Sequence, residues 1–271
     1  MISLSTEKKD NFKQSGDYIQ SLERGLQVIQ AFSQENQALT ISDVSKLTGL
    51  SRPTARRILL TLEHLGFAES NNSVFSLTAR TLSLGYAYLA SNNSWSIAHS
   101  FMREFVHQTG ESCSISILDG PDIIYVARVS TKRIMSINLD VGSRLPAYAT
   151  SMGHVLLANL PKEKLEQYLE SIDFEKFTDK TIVDKEQLLA ILEDVREQGW
   201  GGVDQQLEEG LRSIAVPLRH GTGKVFAAFN CSVHAGRVSK EVLLEDFLPL
   251  LQEIGEKISQ AMAVTNSSRY V

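Results

Sequence analysis

Three arginines in one short segment are the side chains with the most evident chemistry in this 271-residue sequence. Arg52, Arg56 and Arg57 stand directly after Ser51 and around Pro53. On a helix, this spacing places them on the outward side of the first two turns. A guanidinium there can bind two acceptors of a guanine or a phosphate. The spacing predicts DNA contacts, and the alternative is three solvated arginines on an ordinary surface helix.

Reactive side chains elsewhere match no catalytic or metal site. Ser151 lacks the glycine that stands two residues before the serine of a nucleophile elbow. The stretch 221–224 lacks the leading glycine of a phosphate-binding loop and precedes a predicted strand, so it predicts a hairpin turn. The histidines show no paired spacing typical of metal ligands. We therefore predict no enzyme, no metal and no cofactor.

Residues 39–66 predict the helix-turn-helix that would position the arginines. Thr40 and Asp43 form a capping-box pattern, so a short helix begins directly after Thr40. Gly49 can adopt the positive φ that a tight turn between helices needs. Ser51 is the predicted N-cap of the second helix. Pro53 fits the first turn of that helix, because its missing N–H is one that the helix could not bond.

Apolar residues mark the inner faces of the predicted helices. On the second helix, apolar residues recur at steps of three and four, so they should pack against the preceding helices. These residues are Ala55, Ile58, Leu59, Leu62 and Leu65. A third helix, beginning near Ser21, should lie across the pair through the stripe Leu22, Leu26, Ile29 and Phe32.

An alternating segment after Gly66 predicts a β-hairpin wing, with its turn around Asn71 and Asn72. The small domain is therefore predicted to be a winged helix-turn-helix over residues 18–77, preceded by a flexible arm over 1–17. The predicted DNA-contacting residues are Thr40, Ser51, Arg52, Pro53, Thr54, Arg56, Arg57, Asn71 and Asn72.

Residues 78–93 predict a linker helix that Thr78 caps. It is too apolar for a free linker, with Leu82, Leu84, Tyr86, Tyr88 and Leu89 inside about three turns. We expect it to pack against a partner subunit, and docking on the chain's own large domain is the alternative.

Charge is distributed unevenly along the chain. The formal net charge is −5, but residues 1–80 carry nine Lys/Arg against eight Asp/Glu, a net of +1, and the remainder carries −6. A local basic face on an acidic body favours sequence-specific DNA binding, because nonspecific affinity follows the number of phosphates neutralised.

The two cysteines, Cys113 and Cys231, each lie in an apolar run and are predicted to be buried and unpaired. The N-terminus lacks the apolar core of a signal peptide, and no apolar run reaches the roughly 18 residues of a membrane helix. We therefore expect a soluble protein of the reducing cytoplasm with no membrane partner.

The second domain, residues 94–265, is predicted to be α+β and not a doubly wound nucleotide fold. A helix precedes a meander of strands at 113–118, 123–129 and 134–139. Helices follow at 151–159, at 161–169 and from Asp184, and a hairpin of strands at 213–218 and 225–233 precedes a final helix from Ser239. Residues 201–213 are expected to form a loop that enters a strand.

One loop of this domain has the features of a ligand site. Arg144 and Tyr148 lead into a helix whose first turn, Ser151–Gly153, presents free N–H groups that bind carboxylates well. Asn230 and Ser232 are polar positions on an otherwise apolar strand. These residues and the 201–213 loop predict a mostly apolar pocket with a few polar anchors; a capped surface helix is the alternative.

The chain resembles the IclR-type transcription regulators over nearly its whole length. The segments 142–153 and 210–215 carry the most specific motifs, and with 112–115 and 133–136 they resemble the branch that regulates aromatic-acid catabolism. The resemblance implies a winged helix-turn-helix joined to a GAF-like α+β domain that binds a small aromatic carboxylate. It also implies a homodimer or dimer of dimers that regulates transcription from an operator in double-stranded DNA.

The resemblance favours an activator that responds to p-hydroxybenzoate, with RNA polymerase as a candidate partner. Protocatechuate or another small acid as effector, and repression, are the alternatives. The effector cavity of the family falls here on Leu145, Met152, Gly153, Asp204, Leu211, Ser213, Asn230 and Ser232. For a hydroxybenzoate, Arg133 or Arg144 would bind the carboxylate, and Ser213 or Asn230 the hydroxyl. A structural salt bridge is the alternative for Arg144.

Two other classes of function compete with a regulator. An enzyme acting on an aromatic acid would need an acid–base pair or a nucleophile, and the sequence offers neither. A helix-turn-helix used only for protein interaction conflicts with the outward arginines.

Overall fold

The computed structural model describes residues 12–33, 35–91, 94–131 and 139–267. The chain forms two compact units that divide between Tyr88 and Leu89, inside the predicted linker helix. Within the described ranges, no helix has the length and apolar character needed to cross a membrane.

The first unit is a winged helix-turn-helix, as predicted. Its elements are helix α1 (Gln20–Gln30), strand β1 (Ala38–Thr40), helices α2 (Ile41–Thr48) and α3 (Arg52–His64), and strands β2 (Ala68–Asn71) and β3 (Val74–Leu77). A 3-10 turn, Ala79–Thr81, leads into helix α4 (Leu82–Ser91), which spans the division. The strands form an antiparallel sheet of order β1-β3-β2. Strand β1 was not predicted from the sequence.

Side-chain caps fix both helices of the helix-turn-helix. The Thr40 hydroxyl accepts from the Asp43 amide at 3.3 Å, and the Asp43 carboxylate accepts from the Thr40 amide at 3.0 Å, which completes the predicted capping box. Gly49 ends α2 with a φ of 70°. The Ser51 hydroxyl accepts from the Thr54 amide at 3.4 Å, so α3 begins at the predicted residue.

Two predicted inner faces need correction. On α1 the buried residue is Val28, whereas Leu22 and Leu26 are 59% and 48% exposed. The unit's core meets the side of α1 that carries Val28, with Ile29 partly buried beside it, so the leucines remain outside. On α3, Leu59 is buried as predicted, but Leu65 follows the last helical residue and is exposed.

The second unit contains a six-stranded antiparallel sheet of order β6-β5-β4-β9-β8-β7. Its elements are α5 (Ser94–Thr109), β4 (Ser112–Asp119), β5 (Asp122–Val129), β6 (Arg144–Pro146), a 3-10 turn (Ala147–Ala149), α6 (Ser151–Ala158), α7 (Lys162–Ser171), α8 (Lys185–Gln198), β7 (Gly201–Asp204), β8 (Leu211–Arg219) and β9 (Val225–His234). A helical turn (Lys240–Val242) and a π-helical turn (Leu243–Phe247) lead into α9 (Leu248–Ser267). The α+β prediction is confirmed.

The two faces of this sheet have separate cores. Helices α5 and α9 cover one face, where the core includes Phe105, Phe229 and Ile254. Helix α6 covers the other face with α7 and α8, around Met152 and Leu188. The thiol-bearing Cys113 and Cys231 are buried, unpaired as predicted, and opposite each other in register.

Two strand predictions in this unit need comment. The predicted third strand at 134–139 lies outside the described residues except for Leu139, which is not in a strand. Strand β6 pairs with β5 instead, through Ile123 and Leu145. The stretch predicted as a loop from residue 201 begins with strand β7, which pairs with β8, so the loop itself is only 205–210.

Candidate functional site

The outward side of α3 is the first candidate site. Arg52, Arg56 and Arg57 are all exposed, because the buried side of the helix is fixed by Ala55 and Leu59. The arrangement presents three guanidinium groups from the first two turns of a capped helix, as a recognition helix does.

The other predicted DNA-contacting residues surround this helix or lie on the wing. Thr40 and Ser51 cap α2 and α3 with their side chains. The Thr54 hydroxyl lies 2.9 Å from that of Ser51, and Pro53 lies in the first turn of α3. The wing turn comprises Asn72 and Ser73, with φ of 51° and 67°, whereas Asn71 ends β2. The turn is thus one residue later than predicted.

The second candidate site lies on the face of the large sheet that α6 covers. Strand β4 alternates serines, which point to this face, with Cys113 and Ile115, which point to the opposite core. Ser114 is paired in register with both Arg128 on β5 and Asn230 on β9. This buried face is therefore polar where a sheet core is ordinarily apolar.

The first turn of α6 faces these strands. The Thr150 hydroxyl caps the helix by accepting from the Gly153 amide at 3.1 Å. The Ser151 and Ser213 hydroxyl oxygens are 2.9 Å apart in a buried hydrogen bond that joins α6 to β8. Met152 lies over β4, where its sulfur accepts from the Ser116 hydroxyl at 3.2 Å.

A cavity lies between this turn and the polar face of the sheet. It encloses about 30 Å³, room for about two water molecules. Its lining residues are Tyr125, Arg128, Leu139, Leu145, Ala149, Thr150, Ser151, Met152, Val203, Leu207, Glu208, Leu211, Ser213, Asn230 and Ser232. The lining is thus mostly apolar or neutral, with one guanidinium and one carboxylate among the described residues.

Asn230 is the polar side chain of the cavity with an unmet hydrogen bond. It is 4% exposed, and its amide donates to the Ser232 hydroxyl at 3.1 Å. Its Oδ1 has no partner among the described residues. A buried acceptor without a donor is unfavourable by about 1 to 3 kcal/mol, so this oxygen would be stabilised by a ligand that brings a hydroxyl.

The cavity contains seven of the residues predicted to bind an effector. They are Leu145, Ser151, Met152, Leu211, Ser213, Asn230 and Ser232. Four other predicted residues, Arg144, Tyr148, Gly153 and Asp204, do not line it. Arg133 lies outside the described residues.

Arg144 and Asp204 form ion pairs outside the cavity. Arg144 donates from Nη1 to Asp119 at 2.7 Å and from Nε to Asp122 at 3.0 Å. Arg144 therefore forms a structural salt bridge, the alternative given above to a role in ligand binding. Asp204 accepts from Arg212 Nε at 3.0 Å, and this hydrogen bond lowers the pKa of its carboxyl.

Tyr148 and Gly153 have packing roles behind the cavity wall. The Tyr148 hydroxyl accepts from the Glu175 amide at 2.7 Å and donates to its carbonyl at 2.9 Å. A Cβ on Gly153 would lie 1.9 Å from the Ala147 carbonyl oxygen, so glycine allows α6 to approach the preceding turn. The His154 ring is fully buried beside them, and its Nε2 forms a 2.7 Å hydrogen bond with the Tyr148 carbonyl oxygen. Burial lowers the pKa of His154 to about 4.

Arg128 is one of eight lining residues that were not predicted from the sequence, and it carries the guanidinium of the cavity. Its guanidinium lines the cavity and donates to the Ser114 hydroxyl at 3.2 Å. A β-bulge explains the omission: Ile115 faces Ala127 but Ser116 faces Tyr125, so Val126 is the extra residue. Strict alternation would place Tyr125 and Arg128 on opposite faces, whereas the bulge brings both to the cavity. Burial raises the pKa of Tyr125 to about 12, so its phenol stays neutral.

No group of three or more metal-ligating side chains occurs in the parts of the chain that the structure describes.

Both units of the chain are similar to known proteins. Residues 21–72 match the IclR helix-turn-helix domain, and residues 86–260 match the family described as bacterial transcriptional regulator IclR C-terminal. The chain is 45% identical to the Pca regulon regulatory protein of Pseudomonas putida over 236 residues, 87% of this chain and 81% of the relative. It is 35% identical to the p-hydroxybenzoate hydroxylase transcriptional activator of Acinetobacter baylyi over 247 residues, 89% of this chain and 91% of the relative.

A solved structure resembles the second unit. It is the inducer-binding domain of the Acinetobacter transcription factor PobR, as a double mutant in complex with 3-hydroxybenzoic acid. The two chains superpose with a TM-score of 0.58 and 32% identity, over 61% of this chain and 97% of that domain.

Proposed function

Because the chain belongs to the IclR family of bacterial transcriptional regulators, we propose that it binds an operator through α3 and responds to a small aromatic carboxylate in the cavity under α6. Its named relatives regulate aromatic-acid catabolism, and we extend that role to this chain. The family membership makes the chain a regulator and not an enzyme.

The observation that supports an aromatic monocarboxylate is that Arg128 and the unpartnered Oδ1 of Asn230 occur in the same cavity. The two residues lie on strands separated by β4, in one row of the sheet. Two strand spacings separate their backbones by about 9.6 Å, a separation that suits a ring with groups in para positions once the cavity widens to admit it. Arg128 would bind the carboxylate, and Asn230 Oδ1 would accept a hydrogen bond from the hydroxyl.

These contacts favour p-hydroxybenzoate. Arg128 takes the role predicted for Arg144, whose guanidinium is held by Asp119 and Asp122. Glu208, which also lines the cavity, disfavours a second carboxylate through like-charge repulsion. Protocatechuate and other small acids remain the alternative effectors.

We further propose a homodimer, or a dimer of dimers, in the bacterial cytoplasm. The supporting observation is the apolar surface of the first unit. Leu82 and Tyr86 on α4 are 75% and 69% exposed, and Leu22 and Leu26 on α1 are also exposed. A helix face of this character is usually covered by another chain. Activation, with RNA polymerase as partner, is favoured over repression because the p-hydroxybenzoate relative is named an activator.

The test is calorimetric titration of the whole chain with p-hydroxybenzoate, protocatechuate and benzoate. Arg128→Gln should weaken p-hydroxybenzoate binding by about 10-fold or more, because a charge-assisted hydrogen bond contributes about 1.5 to 3 kcal/mol. Arg144→Gln is the matched control and should bind as the wild type does.

The outcomes separate the parts of the proposal. Loss of binding in Arg144→Gln alone would return the anchor to that residue. Absence of binding by the wild type to all three acids would refute an aromatic effector and leave the operator-binding proposal in place.

A further inference from the structure

One wall of the cavity is a strained loop. Residues 205–210 connect β7 to β8 and bring Leu207 and Glu208 to the cavity. Gln205 has a φ of 62°, a left-handed conformation that is unfavourable for a residue with a side chain. Its amide donates to the Leu211 carbonyl at 2.7 Å, and its side-chain oxygen accepts from the Gly210 amide at 3.0 Å.

Two threonine hydroxyls hold this loop from outside the cavity. Thr178 donates to the Gln205 carbonyl and Thr181 to the Gln206 carbonyl, each at 2.6 Å. Thr181 is 7% exposed, and its oxygen also accepts from the Thr178 amide at 2.8 Å. We call these two threonine-to-carbonyl hydrogen bonds the latch.

The segment that carries the latch also contacts the opposite wall. Residues 174–181 pack on Tyr148, whose ring centroid lies 5.0 Å from that of Phe174 and 6.3 Å from that of Phe177. Tyr148 precedes the Thr150–Met152 turn, which lines the cavity. None of residues 174–181, all of which are described, lines the cavity itself. The segment therefore ties two walls together from behind.

We propose that Thr178 and Thr181 are positioning residues that keep the effector cavity closed, and that binding of an aromatic acid requires the latch to open. The inference rests on the proposed function. It follows from the size of the cavity, about 30 Å³: two water molecules fit, but a benzene ring does not. The loop is the wall suited to move, because it carries the strained left-handed conformation of Gln205 and is held from outside by the latch.

The test compares Thr181→Val, which removes the hydroxyl at nearly constant volume, with Thr181→Ser, which keeps it. Thr181→Val should bind p-hydroxybenzoate about 2- to 12-fold more tightly, through faster association. The reason is that the Thr181 hydrogen bond to the Gln206 carbonyl no longer opposes opening of the loop. Thr181→Ser should behave as the wild type. Thr109→Val is the matched control, because it loses a hydroxyl bond to the Phe105 carbonyl in the same unit, far from the loop in sequence.

Hydrogen exchange gives a second measurement that needs no effector. The amides of Gln205, Gly210 and Leu211 should exchange about 2- to 12-fold faster in Thr181→Val, and at the wild-type rate in Thr181→Ser and Thr109→Val. Equal rates in all four proteins would overturn the latch.

The two measurements distinguish the latch from the proposed function. If the wild type binds no aromatic acid, the effector proposal fails and hydrogen exchange still decides the latch. If the wild type binds but Thr181→Val binds equally or more weakly, or Thr109→Val tightens binding as much, the latch is refuted and the effector proposal stands.

Discussion

Replacing Gly153 by alanine should destabilise the second unit, although alanine ordinarily stabilises a helix. Gly153 lies in α6, and a Cβ there would lie 1.9 Å from the Ala147 carbonyl oxygen and 2.5 Å from the Ala147 carbonyl carbon. Both atoms belong to the backbone of the turn that precedes α6. No side chain can rotate to relieve the overlap, so the helix and the turn would have to separate.

The expected loss follows from two opposing effects. Alanine gains about 1 kcal/mol over glycine inside a helix. Overpacking of a filled core typically costs about 1 to 3 kcal/mol, and more when backbone must move. Because the overlap is with backbone, the cost should lie near the upper end of that range, so we expect a net loss of about 2 kcal/mol. For a unit of this size, the melting temperature should then be lower by roughly 4 to 8 °C.

The assay is urea unfolding of the whole chain followed by tryptophan fluorescence. Both tryptophans, Trp95 and Trp200, belong to the second unit, so fluorescence reports on that unit. Gly255→Ala on α9 provides a graded comparison, because its Cβ would lie 2.9 Å from a methyl group of Val216, which can shift. Gly25→Ala on α1 meets no atom within 4 Å and should be neutral or stabilising when measured by circular dichroism.

The prediction is tested by ranking the three variants by their loss of stability. A loss for Gly153→Ala that exceeds the loss for Gly255→Ala, with none for Gly25→Ala, is the expected result. If Gly153→Ala is as stable as the wild type, the close approach of α6 to Ala147 does not limit this position.

Replacing Arg56 or Arg57 by alanine should weaken operator binding by about 1 to 3 kcal/mol if the side chain contacts a base. Fluorescence anisotropy with a set of operator variants measures this, and an unchanged preference among the variants would assign the contact to a phosphate. The low pKa of buried His154, about 4 against an ordinary 6.5, means that the unfolded chain binds the proton more readily. Stability should therefore fall as the pH decreases from about 6.5 to about 4, by at most about 1.4 kcal/mol per pH unit from this group. In urea titrations across that range, His154→Gln should flatten the dependence and exposed His107→Gln should not; equal slopes in both variants would refute the assignment.

Local signals allowed the sequence to predict much of the DNA-binding unit. Thr40 and Ser51 cap helices through hydroxyls that bond amides three residues on, and Gly49 needs only its own backbone. Such features depend on a few neighbouring residues, and a single sequence contains them. The exposure of the leucines of α1 depends on which side of the helix packs against the core, and periodicity alone does not specify that side.

The cavity was harder to predict because its charges depend on strand pairing. Arg144 appeared available for a ligand, but β6 pairs with β5 and brings it to Asp122, a residue far away in sequence. Arg128 was missed because one extra residue, Val126, changes the face to which it points. Asn230 and Ser232 were predicted because each is a polar residue on an otherwise apolar strand, whereas Ser213 was predicted through the family resemblance.

Under the proposed function, the two-sided character of β4 would separate the evolution of ligand choice from the maintenance of the fold. Ser112, Ser114 and Ser116 face the α6 side of the sheet, where Ser114 accepts from the cavity residue Arg128, whereas Cys113 and Ile115 belong to the core under α5 and α9. Under the proposed function, substitutions at the serines should therefore change which acid is sensed while the opposite core keeps its packing. A library for a new biosensor would vary every second residue of this strand and leave the residues between them unchanged.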